Sequence, residues 1–364
     1  MKLALALILL NTCGSVLSCA TAGYLNRGGL QHNLISKRQA EVVTLPSQNI
    51  THWTVDENKR EMQISDDAFI ARDLAHFNHA PDVLVYYPGG VVMNLSEHLT
   101  DMRLYYSQFS NVKPHNHDYK VLFGAGDWTV AISDISGVND GPLPGPNGLL
   151  PPTQRATKYD LMTIGQWNGG LLIQEYLWLD EPRMYRQLGL LPSYPPDSIP
   201  DIETNQFTTP ISVNPAVNTS GQNEANMLKS DQAFNEGKLD AGSMYLAPNL
   251  AVYGLSDYPL NLTEYLSVLG QMRVAFPDLQ LRVPYIQIIA EGDWTATISM
   301  LNGTHTGDLV LPPYLAETPI PPTYKTFDLL HYVISRWQDG NIVEMRINAD
   351  IFGILESLGI SPFA

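Results

Sequence analysis

The chain has 364 residues, 44% of them hydrophobic, with 21 lysines and arginines against 37 aspartates and glutamates, for a formal net charge of −16. That length holds more than one packed core, and the acidic surplus argues against nucleic acid or anionic membrane surfaces as partners. The two cysteines, Cys13 and Cys19, both lie near the N-terminus, so the rest of the chain has no thiol to form a disulfide.

The chain opens as a secretory signal. Lys2 supplies the charge, Leu3 to Leu10 is an unbroken apolar run, and Ala20-Thr21-Ala22 offers a small-residue cleavage site. No later stretch reaches the length of a membrane-spanning helix. Lys37-Arg38 stands before Gln39, either as a kexin-type dibasic site that makes residues 23–38 a propeptide or as an ordinary exposed charge pair. Loss of residues 1–38 removes Lys2, Arg27, Lys37 and Arg38 and no acid, moving the net charge to −20. Five sequons, at Asn49, Asn94, Asn218, Asn261 and Asn302, then point to a secreted eukaryotic glycoprotein of fungal type.

The next elements follow from periodicity. Phe69, Ile70, Asp73, Leu74 and Phe77 predict a helix over 66–78, opened by Ser65-Asp66-Asp67. A short strand at 83–87, a turn at Pro88-Gly89-Gly90 and a helix from Ser96 to about Ser110 come after it. Strands are expected at 119–123, 128–136, 156–167 and 170–179, and a short helix from Arg183 to Leu188 closes the unit.

The unit then recurs. Gly126-Asp127-Trp128-Thr129-Val130-Ala131-Ile132-Ser133 returns as Gly292-Asp293-Trp294-Thr295-Ala296-Thr297-Ile298-Ser299. Ala80-Pro81 answers to Ala247-Pro248, Asn94-Leu95 to Asn261-Leu262, and Trp167, Asp180 and Gly189 to Trp337, Asp350 and Gly359. A period this long means two tandem globular repeats rather than a solenoid. They are placed at 56–191 and 223–361, with a Pro/Ser/Thr/Asn-rich linker at 192–222. Helices followed by strands, twice over, make the class α+β.

The second repeat resembles the SnoaL-like polyketide cyclases of the NTF2-like superfamily. The residues carrying the resemblance are Ala275-Phe276-Pro277-Asp278-Leu279, Ala290-Glu291-Gly292-Asp293, Gly303-Thr304-His305-Thr306-Gly307, Pro321-Pro322-Thr323, Arg336 through Glu344, Asp350 and Leu358-Gly359. The first repeat keeps Pro151-Pro152-Thr153, Trp167 to Gly170, Asp180 and Gln187 to Leu191. The resemblance implies two tandem cone-shaped α+β barrels, each a curved antiparallel sheet packed on helices. It also implies an aspartate acid/base at the end of the last long strand, which falls on Asp180 and Asp350. Such a carboxylate, in an apolar pocket that raises its pKa, removes a proton from a carbon between carbonyls and returns it to the alkoxide of an aldol closure. Neither a metal nor a cofactor is called for. At both positions, N-capping of the closing helix is the competing role.

Period-two counting puts Gln174, Tyr176 and Trp178 on the face of Asp180, a surface suited to a flat aromatic molecule, and makes the first repeat the stronger catalytic candidate. Asp350 shares its face with Glu344, Arg346 and Asn348, where Arg346 is expected to pair Glu344 or Asp350. Tyr86, Tyr253 and Gln166 complete the candidate substrate-binding set. His331, found in the second repeat alone, and His305 are read as structural. His115-Asn116-His117-Asp118 is a weak metal motif. Three functions remain open: a secreted cyclase or isomerase, a non-catalytic binder of a small apolar molecule, and an internal pseudo-dimer in which one repeat is a structural partner.

Overall fold

The computed structural model describes residues 50–114, 119–145, 148–191, 219–256, 258–312, 315–348 and 350–360. Residues 1–49, where the signal segment, the alternative readings of Lys37-Arg38 and the Asn49 sequon fall, lie outside them, as do Asn218, most of the linker and His115-Asn116-His117-Asp118.

The first repeat begins with α1 (Val55–Ala71), β1 (His79–Tyr87), β2 (Val91–Met93), α2 (Leu95–Gln108), β3 (Lys113–Pro114) and β4 (Val121–Ala125). It continues with β5 (Trp128–Val138), β6 (Leu143–Gly145), β7 (Gly148–Leu150), β8 (Ala156–Asn168), β9 (Leu171–Leu179) and α3 (Glu181–Gln187). The second repeat contains α4 (Ser220–Asn235), β10 (Leu246–Tyr253), α5 (Leu262–Ala275), β11 (Gln280–Leu281), β12 (Gln287–Glu291), β13 (Trp294–Thr304), β14 (Thr326–Gln338), β15 (Asn341–Ile347) and α6 (Ile351–Ser357). The architecture is α+β, two tandem units of a curved sheet with helices.

Helix α1 starts eleven residues before the sequence expectation. Thr54 and Glu57 cap each other's backbone N–H groups, so Ser65-Asp66-Asp67 is helix interior. Its buried residues are Asn58, Met62, Ser65 and Ala68, a stripe half polar, which hid the first turns from a hydrophobic pattern. The sheets also differ from an all-antiparallel expectation. Strand β1 pairs with β9, and β10 with β15, in parallel. The first sheet runs β2-β1-β9-β8-β5-β3 and the second β10-β15-β14-β13-β11, with β4 and β12 on β5 and β13; both are open.

The duplication extends to individual bonds. In each hairpin the glycine, Gly126 or Gly292, takes φ 57°, which the tight turn into the strand requires. The Trp167 indole N–H donates to Thr129 Oγ1 at 2.8 Å, and Trp337 donates to Thr295 Oγ1 at 2.9 Å. Register shifts fall at the matching pairs Gln166/Trp167 and Arg336/Trp337. Helices α2 and α5 both open with an Asn–Glu capping box, Asn94 with Glu97 and Asn261 with Glu264.

Each sheet turns one face to its own helices and the other toward the opposite sheet. One apolar cluster takes Tyr86, Val121, Phe123, Val130, Ile132, Ile164, Tyr176 and Trp178 from the first repeat. From the second it takes Ile289, Trp294, Ala296, Ile298, Met300, Tyr332 and Ile334. Polar ties flank it. Glu291 accepts from Lys59 Nζ and from the Gly124 N–H, each at 2.7 Å, and Arg346 reaches Asp160 at 3.2 Å.

Candidate functional site

A cavity of about 190 Å³ lies inside the second repeat. Along strand β14, Leu329, His331 and Val333 line the cavity and Tyr332 and Ile334 enter the layer between the sheets, with Leu330 bordering both. Met345 and Ile347 of β15, Phe234 of α4 and Leu269 and Met272 of α5 add further apolar wall. The first repeat supplies part of the lining through Trp178, Asp180, Pro182 and Arg186 at the end of β9 and along α3. The polar groups Asp231, Tyr265, His331, Asn348 and Asp350 complete a largely apolar chamber.

Three carboxyl groups line it, each with different commitments. Asp350 N-caps α6, accepting from the Gly353 N–H at 2.9 Å, and its other oxygen accepts from the Gly89 N–H of the first repeat at 2.6 Å. Burial raises its pKa while those two N–H groups oppose the rise. Asp350 is thus a cap and a bond between repeats. Asp180 also caps its helix, accepting from the Arg183 N–H at 3.2 Å through one oxygen. The side chain is half-buried, and this is the one hydrogen bond it makes among the described residues. Burial lifts Asp180 to about 6, against the pull of Arg183 and with help from the charge of Asp160. Asp231, on α4, accepts from the Tyr285 hydroxyl at 2.8 Å, and burial raises it to about 7.

His331 belongs to this chamber. Burial pushes its imidazole down to about 4, against a hydrogen bond to the Asn348 backbone, so the ring is neutral at ordinary pH. His305 is buried against Thr323 at 3.1 Å and stays structural.

The remaining sequence candidates lie elsewhere. Tyr86 and Tyr176 stack at 4.5 Å in the layer between the sheets, and the Tyr176 hydroxyl donates to Gln174 at 3.0 Å. Gln166 pairs with Trp128 and Gln174 across the first sheet. Tyr253 lies under the Arg346 guanidinium, 4.3 Å from its ring centre. Of the Asp180 face, therefore, only Trp178 and Asp180 itself line this cavity. The reason is the sheet–sheet packing: the face carrying Gln174 and Tyr176 meets the other repeat. Arg346 pairs Glu344 at 2.7 Å and Asp160, leaving Asp350 to the backbone.

Two constellations escaped the sequence reading. One is the pairing of Asp231 with Tyr285, matched in the first repeat by Asp66 and Tyr119, whose hydroxyl donates to Asp66 at 2.5 Å. Aligning the repeats places these residues opposite each other, so the signal was available. The other gathers His79, His98 and Glu175 in the first repeat, from three elements with no local motif.

Residues 225–358 match the family described as SnoaL-like polyketide cyclase. Among solved structures, IdmH of Streptomyces antibioticus, a candidate polyketide cyclase, is 26% identical over 38% of this chain and 99% of its own, with a TM-score of 0.33. A candidate polyketide cyclase from Xanthomonas campestris pv. campestris is 20% identical over 38% and 98%, with a TM-score of 0.33. AclR of Streptomyces galilaeus, a candidate hydroxylase, is 15% identical over 38% and 89%, with a TM-score of 0.35. No functionally curated protein matches the sequence.

The raised pKa of Asp231 has a measurable consequence. The folded protein keeps that proton where the unfolded chain has lost it, so its contribution is present below about pH 4 and lost as pH rises through about 7. Asp231→Asn still accepts from Tyr285 but does not titrate. Denaturant titrations should show wild-type stability falling relative to the variant between those limits; a constant difference contradicts the assignment.

Proposed function

We propose that the second repeat takes a small apolar or aromatic molecule into its cavity and, with Asp180 as the acid/base, isomerises or cyclises it without a cofactor. The observation that carries this reading is one carboxyl group, at the wall of an apolar chamber, with a single hydrogen bond among the described residues and a pKa lifted by burial to about 6. Such a group is ionised often enough at neutral pH to remove a proton from carbon, and basic enough to hold it. Returning that proton to the alkoxide of a new ring closes an intramolecular aldol with atoms in balance. The chamber holds the chain in the folded shape that closure needs, and neutral His331 offers a hydrogen bond to a substrate oxygen. Support for the cyclase kind of chemistry comes from the family match over residues 225–358.

The same proposal places the protein outside the cell as a glycoprotein. Asn94 and Asn261 are exposed helix caps whose Oδ1 atoms accept backbone N–H groups, leaving each amide nitrogen open to a glycan. Secreted material should shift in mass on deglycosylation and begin beyond residue 22. An unglycosylated chain retaining Met1 overturns this part.

Asp180→Asn tests the chemistry. Turnover of a polyketide-like substrate should fall roughly 10²–10⁴-fold with ligand affinity kept, and the wild-type rate should rise with pH through about 6 as the base ionises. Unchanged turnover in the variant removes Asp180 from the mechanism. Binding without turnover in either protein favours a ligand carrier.

A further inference from the structure

The two repeats share a backbone but have diverged inside. Three interior positions of the second repeat hold Leu246, Tyr265 and Met345, and the latter two line its cavity. The structurally equivalent positions of the first repeat hold His79, His98 and Glu175. Strand pairing fixes the equivalence: His79 faces Leu172 and Val85 faces Glu175, as Leu246 faces Ile342 and Val252 faces Met345. His98 and Tyr265 are each the fourth residue of their helix, α2 and α5. Where one repeat is apolar, the other gathers two imidazoles around a carboxylate.

All three side chains are buried, with His79 and Glu175 6% and His98 3% exposed. His79 Nε2 lies 3.1 Å and His98 Nε2 3.8 Å from the same oxygen, Glu175 Oε2, and one ligand atom from each residue falls within 4.8 Å of the others. A four- to six-coordinate ion with bonds of ~2.0–2.1 Å sets its ligand atoms ~2.9–3.4 Å apart; the 3.1 Å contact falls in that range, and the 3.8 Å contact and the wider span require the rings to draw in around the ion. The surroundings fix the aim of the rings. Tyr87 Oη bonds His98 Nδ1 at 2.8 Å, so Nε2 points inward, and Phe77 stacks on His79 at 3.9 Å. A buried His–Glu pair needs only one histidine. Here a second is directed at the same oxygen, and its Nε2 makes no hydrogen bond. Burying that ring nitrogen unpaired costs free energy unless something completes it.

We propose that His79, His98 and Glu175 form a binding site for a divalent first-row transition ion of the zinc class inside the first repeat. Two neutral imidazoles and one carboxylate are borderline donors suited to such an ion, and Tyr87 is the outer partner that orients His98. Three protein ligands leave a coordination position for water or a small anion. The site is independent of the cavity in the second repeat.

The test uses the full chain, stripped with a chelator and dialysed. It is titrated with Zn²⁺ by calorimetry and with Co²⁺ by visible absorption. One equivalent should bind, with cobalt bands of low coordination number, and His98→Gln and Glu175→Gln should abolish both signals. Tyr87→Phe keeps all three ligands and should weaken binding about 10–100-fold. Should Glu175→Gln fail to fold, His98→Gln and Tyr87→Phe decide. No stoichiometric binding by folded wild-type protein, or undiminished binding by His98→Gln, overturns the proposal.

Discussion

The packing of one sheet against the other is the constraint on which the rest of the molecule depends. A curved sheet has two faces to cover, and a single repeat has helices enough for one of them. Here the second face is covered by the duplicate: Trp294, Ile298 and Ile334 meet Phe123, Ile132 and Ile164 in a layer from which water is excluded. The charged ties sit around that layer because long polar side chains reach across its edges. Glu291 binds Lys59 and the Gly124 N–H, and Arg346 binds Asp160. Removing one partner of such a pair would leave a charge uncompensated.

That arrangement has a functional consequence at the end of β9. The strand runs through the shared layer, and at its end Trp178 borders both that layer and the neighbouring repeat's chamber, with Asp180 following into the chamber lining. Trp178 and Asp180 thus belong by sequence to one repeat and by position to the cavity of the other. Asp350, their counterpart, reaches back to the Gly89 N–H and spends both oxygens on backbone groups. Equivalent residues have taken unequal roles, one still open to chemistry and one tying the repeats together. The interiors diverged in the same way, apolar around the second repeat's cavity and imidazole-rich in the first.

Much of the fold was legible in the sequence because duplication writes each signal twice. The Gly-Asp-Trp hairpin, the asparagine caps at Asn94 and Asn261 and the closing aspartates stand at fixed offsets, and each recurs with the same hydrogen bonds. The start of α1 was hidden because its buried stripe includes Asn58 and Ser65. The aspartates were found, but their neighbours were assigned to the wrong space. Period-two counting gives the residues that share a face and says nothing of what that face meets, so it puts Gln174 and Tyr176 on a pocket wall although they pack between the sheets, where Tyr86, a separate pocket candidate, stacks on Tyr176. His79, His98 and Glu175 come from a strand, a helix and a second strand, and only the parallel pairing of β1 with β9 brings them together.

The central claim is that the chamber of the second repeat holds a small apolar molecule. Native mass spectrometry of the purified protein tests it most directly, with Leu269→Trp, which fills the chamber, as the comparison. The account predicts a small-molecule mass on the wild type, released on denaturation and missing from the variant. The same bare polypeptide mass for both, after incubation with extract from the producing cells, would contradict it.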